Sequence, residues 1–175
     1  ALKNHQVDTL IIPILEKINS TSNYFTTSSC AGRIVVLQLP EIGDKKKAVF
    51  LGRWHRRVSC EEILLALDSY AKGQVWLLTQ PPIFHIGCKS IIAANELMKL
   101  GIFSGFKHSG IRSISSQITV ELQSTERMDM PVGSNGKQVI EDEKISFLVD
   151  QANTSITRAQ HKLTRLQKNI IEKLR

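Results

Sequence analysis

Apolar residues at Val7, Leu10, Ile11, Ile14, Leu15 and Ile18 recur at steps of three and four, which predicts a helix with one buried face. Pro13 falls inside that rhythm, so it either kinks the helix or marks its start. The Asn–Ser–Thr–Ser cluster from Asn19 stops it. Tyr24 to Thr27 reads as a short strand and Ile34 to Leu39 as a strand covered on both faces, because the run is continuously apolar. Between them lies a polar connection, Ser28-Ser29-Cys30-Ala31-Gly32-Arg33, and Glu41 to Lys47 reads as a solvated charged loop.

Ser59 and Glu62 form a capping-box pattern ahead of a helix through Ile63, Leu64, Leu67 and Tyr70, ending near Gly73. Val75–Leu78 and Ile83–Ile86 are predicted strands, and Pro81-Pro82 forbids one continuous strand through both. Ser90 to Leu100 is a second helix, stopped by Gly101. Ile118, Val120 and Leu122 alternate with Thr119, Glu121 and Gln123, which predicts a half-buried strand with a polar face. Asn135-Gly136 reads as a hairpin turn between two short strands. From Val149 through Ala152, Ile156, Ala159, Leu163, Leu166 and Ile170 one long helix closes the chain. Interleaved helices and strands imply an α/β fold: residues 1–175 as a single layered domain, a central mixed sheet flanked by helices, and a long C-terminal helix.

Composition narrows the function. Among 175 residues, 23 Lys and Arg stand against 16 Asp and Glu, a formal charge of +7, which favours a polyanionic partner such as nucleic acid. Cys30, Cys60 and Cys88 are scattered and odd in number, which argues against a disulfide framework or a zinc site and for reduced thiols in a cytoplasm. No leader and no membrane-spanning apolar run is present, so a soluble cytoplasmic protein is expected. The chain opens inside helix-forming sequence, which suggests that a few native residues precede Ala1.

Five segments could carry chemistry. The hydroxyls of Ser28 and Ser29 with Arg33 suit the oxygens of a phosphate or carboxylate, or make an ordinary polar loop. Arg53, Trp54 and His55 offer guanidinium, indole and imidazole groups to RNA, or a charged loop anchored by its Trp. His85, opposite Phe84 and Ile86 on its strand, is either a satisfied core histidine or a proton acceptor. Gly110 lets a backbone approach a ligand closely and Arg112 and His108 can meet an anion, or the stretch is a βα-type connection with a solvated basic residue; Glu121 is either solvated or aimed into a site. The narrow apolar stripe of the basic C-terminal helix packs on the body of the protein or on a second copy of itself.

Taken in order, Tyr24-Phe25-Thr26-Thr27-Ser28-Ser29-Cys30-Ala31-Gly32-Arg33, Gly52-Arg53-Trp54-His55, Pro81-Pro82-Ile83-Phe84-His85, Ser109-Gly110-Ile111-Arg112, Val120-Glu121, Ser124-Thr125 and Ala152-Asn153 resemble the wybutosine-synthesis tRNA methyltransferases over nearly the whole chain. Ala31 stands where many members have serine, and Gly87-Cys88 has no counterpart. The resemblance implies an enzyme without the Rossmann methyltransferase core. It implies methyl transfer from S-adenosylmethionine to a ring nitrogen of the tricyclic base, derived from the guanosine 3′ of the anticodon in phenylalanine tRNA. On that reading Ser28, Ser29, Arg33, Ser109 and Gly110 bind the cofactor. Arg53, Trp54, His55 and Arg112 meet the RNA, His85 or Glu121 accepts the proton, and no metal is needed. The competing classes are a non-catalytic tRNA-binding module and an assembly protein dimerising through its last helix.

Overall fold

A computed structural model describes residues 8–41, 47–69 and 72–174. The predicted positions Val7, Tyr70 and most of the 41–47 loop lie outside the described residues. Backbone contacts divide the chain into two compact units. The first comprises residues 1–31, 81–125 and 159–175, and the second residues 32–80 and 126–158.

In the first unit, a 3-10 turn at Thr9–Ile11 leads into α1 (Ile12–Asn19), with Pro13 in the opening turn, so the proline starts the helix rather than kinking it. Strands β1 (Tyr24–Cys30), β5 (Ile83–Cys88), β6 (Gly110–Ser113) and β7 (Ile118–Gln123) form one antiparallel sheet in the order β1-β5-β7-β6. Helix α3 (Ile91–Phe103) is capped by Ser90, whose hydroxyl accepts the Ala93 N–H at 3.2 Å. Gly101 does not end it. A Cβ there would lie 2.6 Å from Leu122 Cδ2, so the glycine lets α3 pack closely on β7. Ile14, Ile18, Phe84, Ile86, Leu97, Val120 and Leu122 fill the core under one face of this sheet, joined by Leu163, Leu166 and Ile170.

The second unit holds β2 (Arg33–Leu39), β3 (Val49–Trp54), β4 (Gln74–Gln80), β8 (Met128–Ser134) and β9 (Lys137–Gln138), paired antiparallel as β3-β2-β4-β8-β9. The β8–β9 turn is Asn135-Gly136 as expected, with φ of 49° and 71°. Helix α2 (Cys60–Leu67) carries the full Ser59–Glu62 capping box. Helix α4 (Asp142–Lys173) runs through both groups of residues. Ile145, Val149, Ala152 and Ile156 pack in the core of the second unit. The predicted stripe from Val149 to Ile170 is buried throughout.

The α/β class and the long final helix match the sequence reading; the single mixed sheet does not. The strands form two sheets, and every pair in both is antiparallel. Two short breaks explain the difference. Ala31-Gly32, with Gly32 at φ 88°, ends β1 and begins a strand of the other sheet. Pro81-Pro82 does the same between β4 and β5, since neither proline can donate to a ladder. Likewise Ser28–Cys30 is strand, not connection: β1 continues to Cys30 because β5 pairs with it up to Cys30↔Ile83.

Candidate active site

The register of the first sheet places four positions on one transverse row. Gly110 pairs with Glu121, Glu121 with His85, and His85 with Ser28, so the row crosses all four strands. Paired residues on adjacent strands point to the same face. Phe84, Ile86, Val120 and Leu122 alternate with this row and are buried in the core, so His85 and Glu121 face away from it.

The three side chains of the row form a hydrogen-bonded chain. Ser28 Oγ lies 2.8 Å from His85 Nδ1, and His85 Nε2 lies 2.8 Å from Glu121 Oε2. Arg112, from the next strand, donates through a terminal guanidinium nitrogen to Glu121 Oε1. Burial pushes the Glu121 carboxyl up, but the hydrogen bonds from Arg112 and His85 outweigh it and hold the group below the usual carboxylate range. Glu121 is therefore ionised at neutral pH and can only accept. It fixes the His85 tautomer: Nε2 carries the proton and donates to Glu121, which leaves the Nδ1 lone pair to accept from the Ser28 hydroxyl. The outcome is a base backed by a buried carboxylate, with an exposed hydroxyl in front of it. The imidazole is turned the opposite way from a serine hydrolase, where Nε2 faces the serine and Nδ1 the acid. Residue spacing gave no sign of such a Ser–His–Glu chain, because its members come from three strands and meet only through register.

The remaining cofactor candidates separate. Ser29 pairs with Phe84 and so faces the core side, opposite to Ser28. Its hydroxyl is buried without a hydrogen-bond partner among the described residues. Ser109 donates to the Phe106 carbonyl and accepts the Gln123 N–H at 3.4 Å, so its hydroxyl closes a local turn. Gly110 ends the row where the other strands present side chains, and a Cβ there would meet no atom within 4 Å. The bare backbone of Gly110, beside Glu121, leaves space for a polar ligand approaching this face of the sheet.

Arg33, Arg53, Trp54 and His55 belong to the second unit. Arg33 donates from Nε to Gln80 Oε1. Its guanidinium carbon sits 5.5 Å from the Phe50 ring centre, and that of Arg53 sits 5.7 Å from the same ring. Phe50 is 49% exposed. Two cations on one exposed ring form a patch able to take phosphate and stack a base. Trp54 is half-buried with its indole over Gly52, where a Cβ would fall 2.0 Å from Cη2. His55 donates from Nδ1 to the Gly32 carbonyl at 3.0 Å. These residues sit on or next to a strand, not in the loop the charge run suggested. Sequence reasoning missed Phe50, although its place in a short apolar run flanked by lysines and arginines was a usable signal.

A histidine oriented by a buried carboxylate, with an exposed hydroxyl in front of it, is an arrangement able to take a proton from a polar group. The family model described as "Methyltransferase TYW3" matches residues 1–172, and the chain belongs to that methyltransferase family. A Pyrococcus furiosus relative, 47% identical over 171 residues, covers 97% of this chain and 87% of its own length. A Methanocaldococcus jannaschii relative is 38% identical over 169 residues, covering 94% and 86%. Both are named as tRNA(Phe) 7-((3-amino-3-carboxypropyl)-4-demethylwyosine(37)-N(4))-methyltransferases. A solved Pyrococcus horikoshii structure matches with a TM-score of 0.93 at 47% identity, covering 97% of this chain and 88% of that one. A solved protein from Aeropyrum pernix matches at 0.82 and 26% identity, covering 94% and 98%. As a methyltransferase, the protein uses a methyl donor.

Proposed function

We propose that the protein methylates the N4 ring nitrogen of 7-(3-amino-3-carboxypropyl)-4-demethylwyosine at position 37 of phenylalanine tRNA, with S-adenosylmethionine as donor. The observation that carries this reading is the row Gly110–Glu121–His85–Ser28. When bound, the donor supplies a methyl group already activated on a sulfonium sulfur. The protein's own tasks are then alignment and removal of one proton. Alignment contributes up to roughly 7–11 kcal/mol in favourable cases, and a positioned base adds about 10² to 10⁴-fold.

As the new carbon–nitrogen bond forms and the carbon–sulfur bond breaks, the ring N–H proton leaves. Ser28 Oγ takes it while passing its own proton to His85 Nδ1, 2.8 Å away. The imidazolium so formed is held by Glu121, and Arg112 keeps Glu121 ionised throughout. His85 is thus the proton acceptor, and Glu121 is its positioning residue. Gly110 leaves room for the donor beside the row. Arg112 in one unit, and in the other Arg33 and Arg53 on Phe50 together with Trp54 and His55, take the RNA, consistent with the +7 charge. No helix among the described residues is long and apolar enough to cross a membrane, in keeping with a cytoplasmic tRNA enzyme. The test is single-turnover methylation of precursor-bearing tRNA by His85→Ala and Ser28→Ala with saturating RNA and donor. A loss of about 10² to 10⁴-fold in His85→Ala supports the relay, and near-normal rates in both variants overturn it.

A further inference from the structure

The row next to the relay carries an aromatic side chain that the chemistry above does not use. Phe25 pairs with Gly87, and Gly87 pairs with Thr119. Gly87 lies two residues along β5 from His85, so this second row faces the same way as the first. Tyr24 and Cys88, the neighbouring pair, are buried on the opposite side, whereas Phe25 is 48% exposed.

Gly87 shapes how that ring sits. A Cβ there would fall 2.3 Å from Phe25 Cζ and 2.4 Å from Gln117 Nε2, so the phenyl ring and the Gln117 amide both reach across the glycine into space that any other residue would fill. The ring therefore lies over the β5 backbone with its outer side open, next to an amide that can both donate and accept hydrogen bonds. Two residues along a strand measure about 6.6–6.8 Å. A fused tricyclic base resting on Phe25 is broad enough for its edge to reach the Ser28–His85 row.

We infer that Phe25, seated across Gly87 and flanked by Gln117, is the stacking platform for the target nucleobase, holding it flat on the sheet with its edge toward Ser28 and His85. This rests on the catalytic reading above and names the surface that delivers the base to it. Exposed aromatics on an antiparallel sheet bind bases in this way, because every base has a π-face and the sheet offers a flat support. The surroundings suit a polar, anionic ligand better than an apolar protein partner: Ser28, His85, Thr119 and Arg112 belong to the same sheet, and Gln117 directly precedes β7.

The test measures binding without donor, so it does not depend on catalysis. The probes are two anticodon stem-loops of phenylalanine tRNA, one carrying the precursor base at position 37 and one abasic there. The wild type is expected to prefer the base-bearing loop by about 5- to 150-fold, the range of one base–aromatic stack. Phe25→Leu should remove that preference without changing affinity for the abasic loop, and Phe25→Trp should keep it. The same variants then go into multiple turnover, where Phe25→Leu should raise KM for the RNA more than it lowers kcat. Undiminished base preference in Phe25→Leu overturns the platform, as does a loss that tracks a change in oligomeric state. Base preference in a wild type that transfers no methyl group supports the platform and overturns the catalytic reading.

Discussion

Replacing Glu121 by Gln removes one charge and keeps the shape, and the hydrogen-bond pattern says what must follow. Glu121 is 7% exposed and accepts from two donors at once, His85 Nε2 at 2.8 Å and Arg112. A glutamine has only one carbonyl oxygen, so its amide N–H₂ must face one of those donors. If the carbonyl stays with Arg112, the amide faces Nε2 and the imidazole must shift its proton to Nδ1. Nδ1 then has no lone pair for Ser28, and the relay is lost. The expected cost in single-turnover rate is about 10² to 10⁴-fold, the full worth of a positioned base, with affinity for the tRNA retained because Arg112 keeps its charge. Stability should fall by about 0.5–2 kcal/mol, the difference between charge-assisted and neutral hydrogen bonds to the same partners. That deficit depends on pH with a definite sign. Burial raises the Glu121 carboxyl, but Arg112 and His85 lower it more, so the folded state binds this proton less readily than the unfolded chain. The stabilisation is present above the ordinary carboxylate range and disappears as pH falls through the lower folded value. Urea unfolding of both proteins from neutral to acid pH, alongside rapid-quench methylation, measures both effects. A glutamine variant with near-normal single-turnover rate, or a stability gap that persists unchanged in acid, refutes the account of Glu121 as an ionised carboxylate that sets the histidine tautomer.

Other positions give independent checks. Asn153 donates to the Val58 carbonyl at 2.8 Å and accepts its N–H at 2.9 Å, so Asn153→Ala strands two buried backbone groups; a loss of about 2–5 kcal/mol in urea unfolding is expected. Gly101→Val places carbon against Leu122 in a filled core, where overpacking costs about 1–3 kcal/mol and should lower Tm in calorimetry. Burial pushes the Tyr24 phenol up to about 12, so the folded state holds its proton longer than the unfolded chain. Stability should therefore decline as pH rises from the ordinary phenol range toward 12, and Tyr24→Phe should flatten that decline in denaturant titrations. Gly110→Ala meets open space and should leave Tm unchanged while raising KM for the methyl donor.

Most elements were legible because their signals are local. The Ser59–Glu62 box, the proline at the start of α1, the Asn135-Gly136 turn and the alternation through Glu121 each depend on residues within one element, and each recurs in the structure. The division into two sheets was not legible. Whether β4 and β5 share a sheet is decided by partners distant in sequence, and Pro81-Pro82 marks a break without naming what lies on either side. Gly101 misled for a related reason: it looks like a helix stop, and only the nearness of Leu122 shows that it serves packing.

The site divides along the same line. That His85 opposes Phe84 and Ile86 follows from period two, and so does the polar placing of Glu121. That the two share a row with Ser28 and Gly110 is a fact of register, and a one-residue slip of β5 against β7 would turn His85 toward the core and break every bond of the chain. Register here is held by the apolar residues on the other face: Phe84, Ile86, Val120 and Leu122 are each fully buried, and a slip of β5 would turn Phe84 and Ile86 out of the core. The hydrophobic face thus positions the polar one. Strands hold side chains more tightly than loops do, and in this protein the alignment of hydroxyl, imidazole and carboxylate is a by-product of the same alternation that builds the core. Substitutions beneath the sheet should therefore reach the chemistry: a volume-changing replacement at Phe84 or Val120 disturbs the row above it before it unfolds the unit.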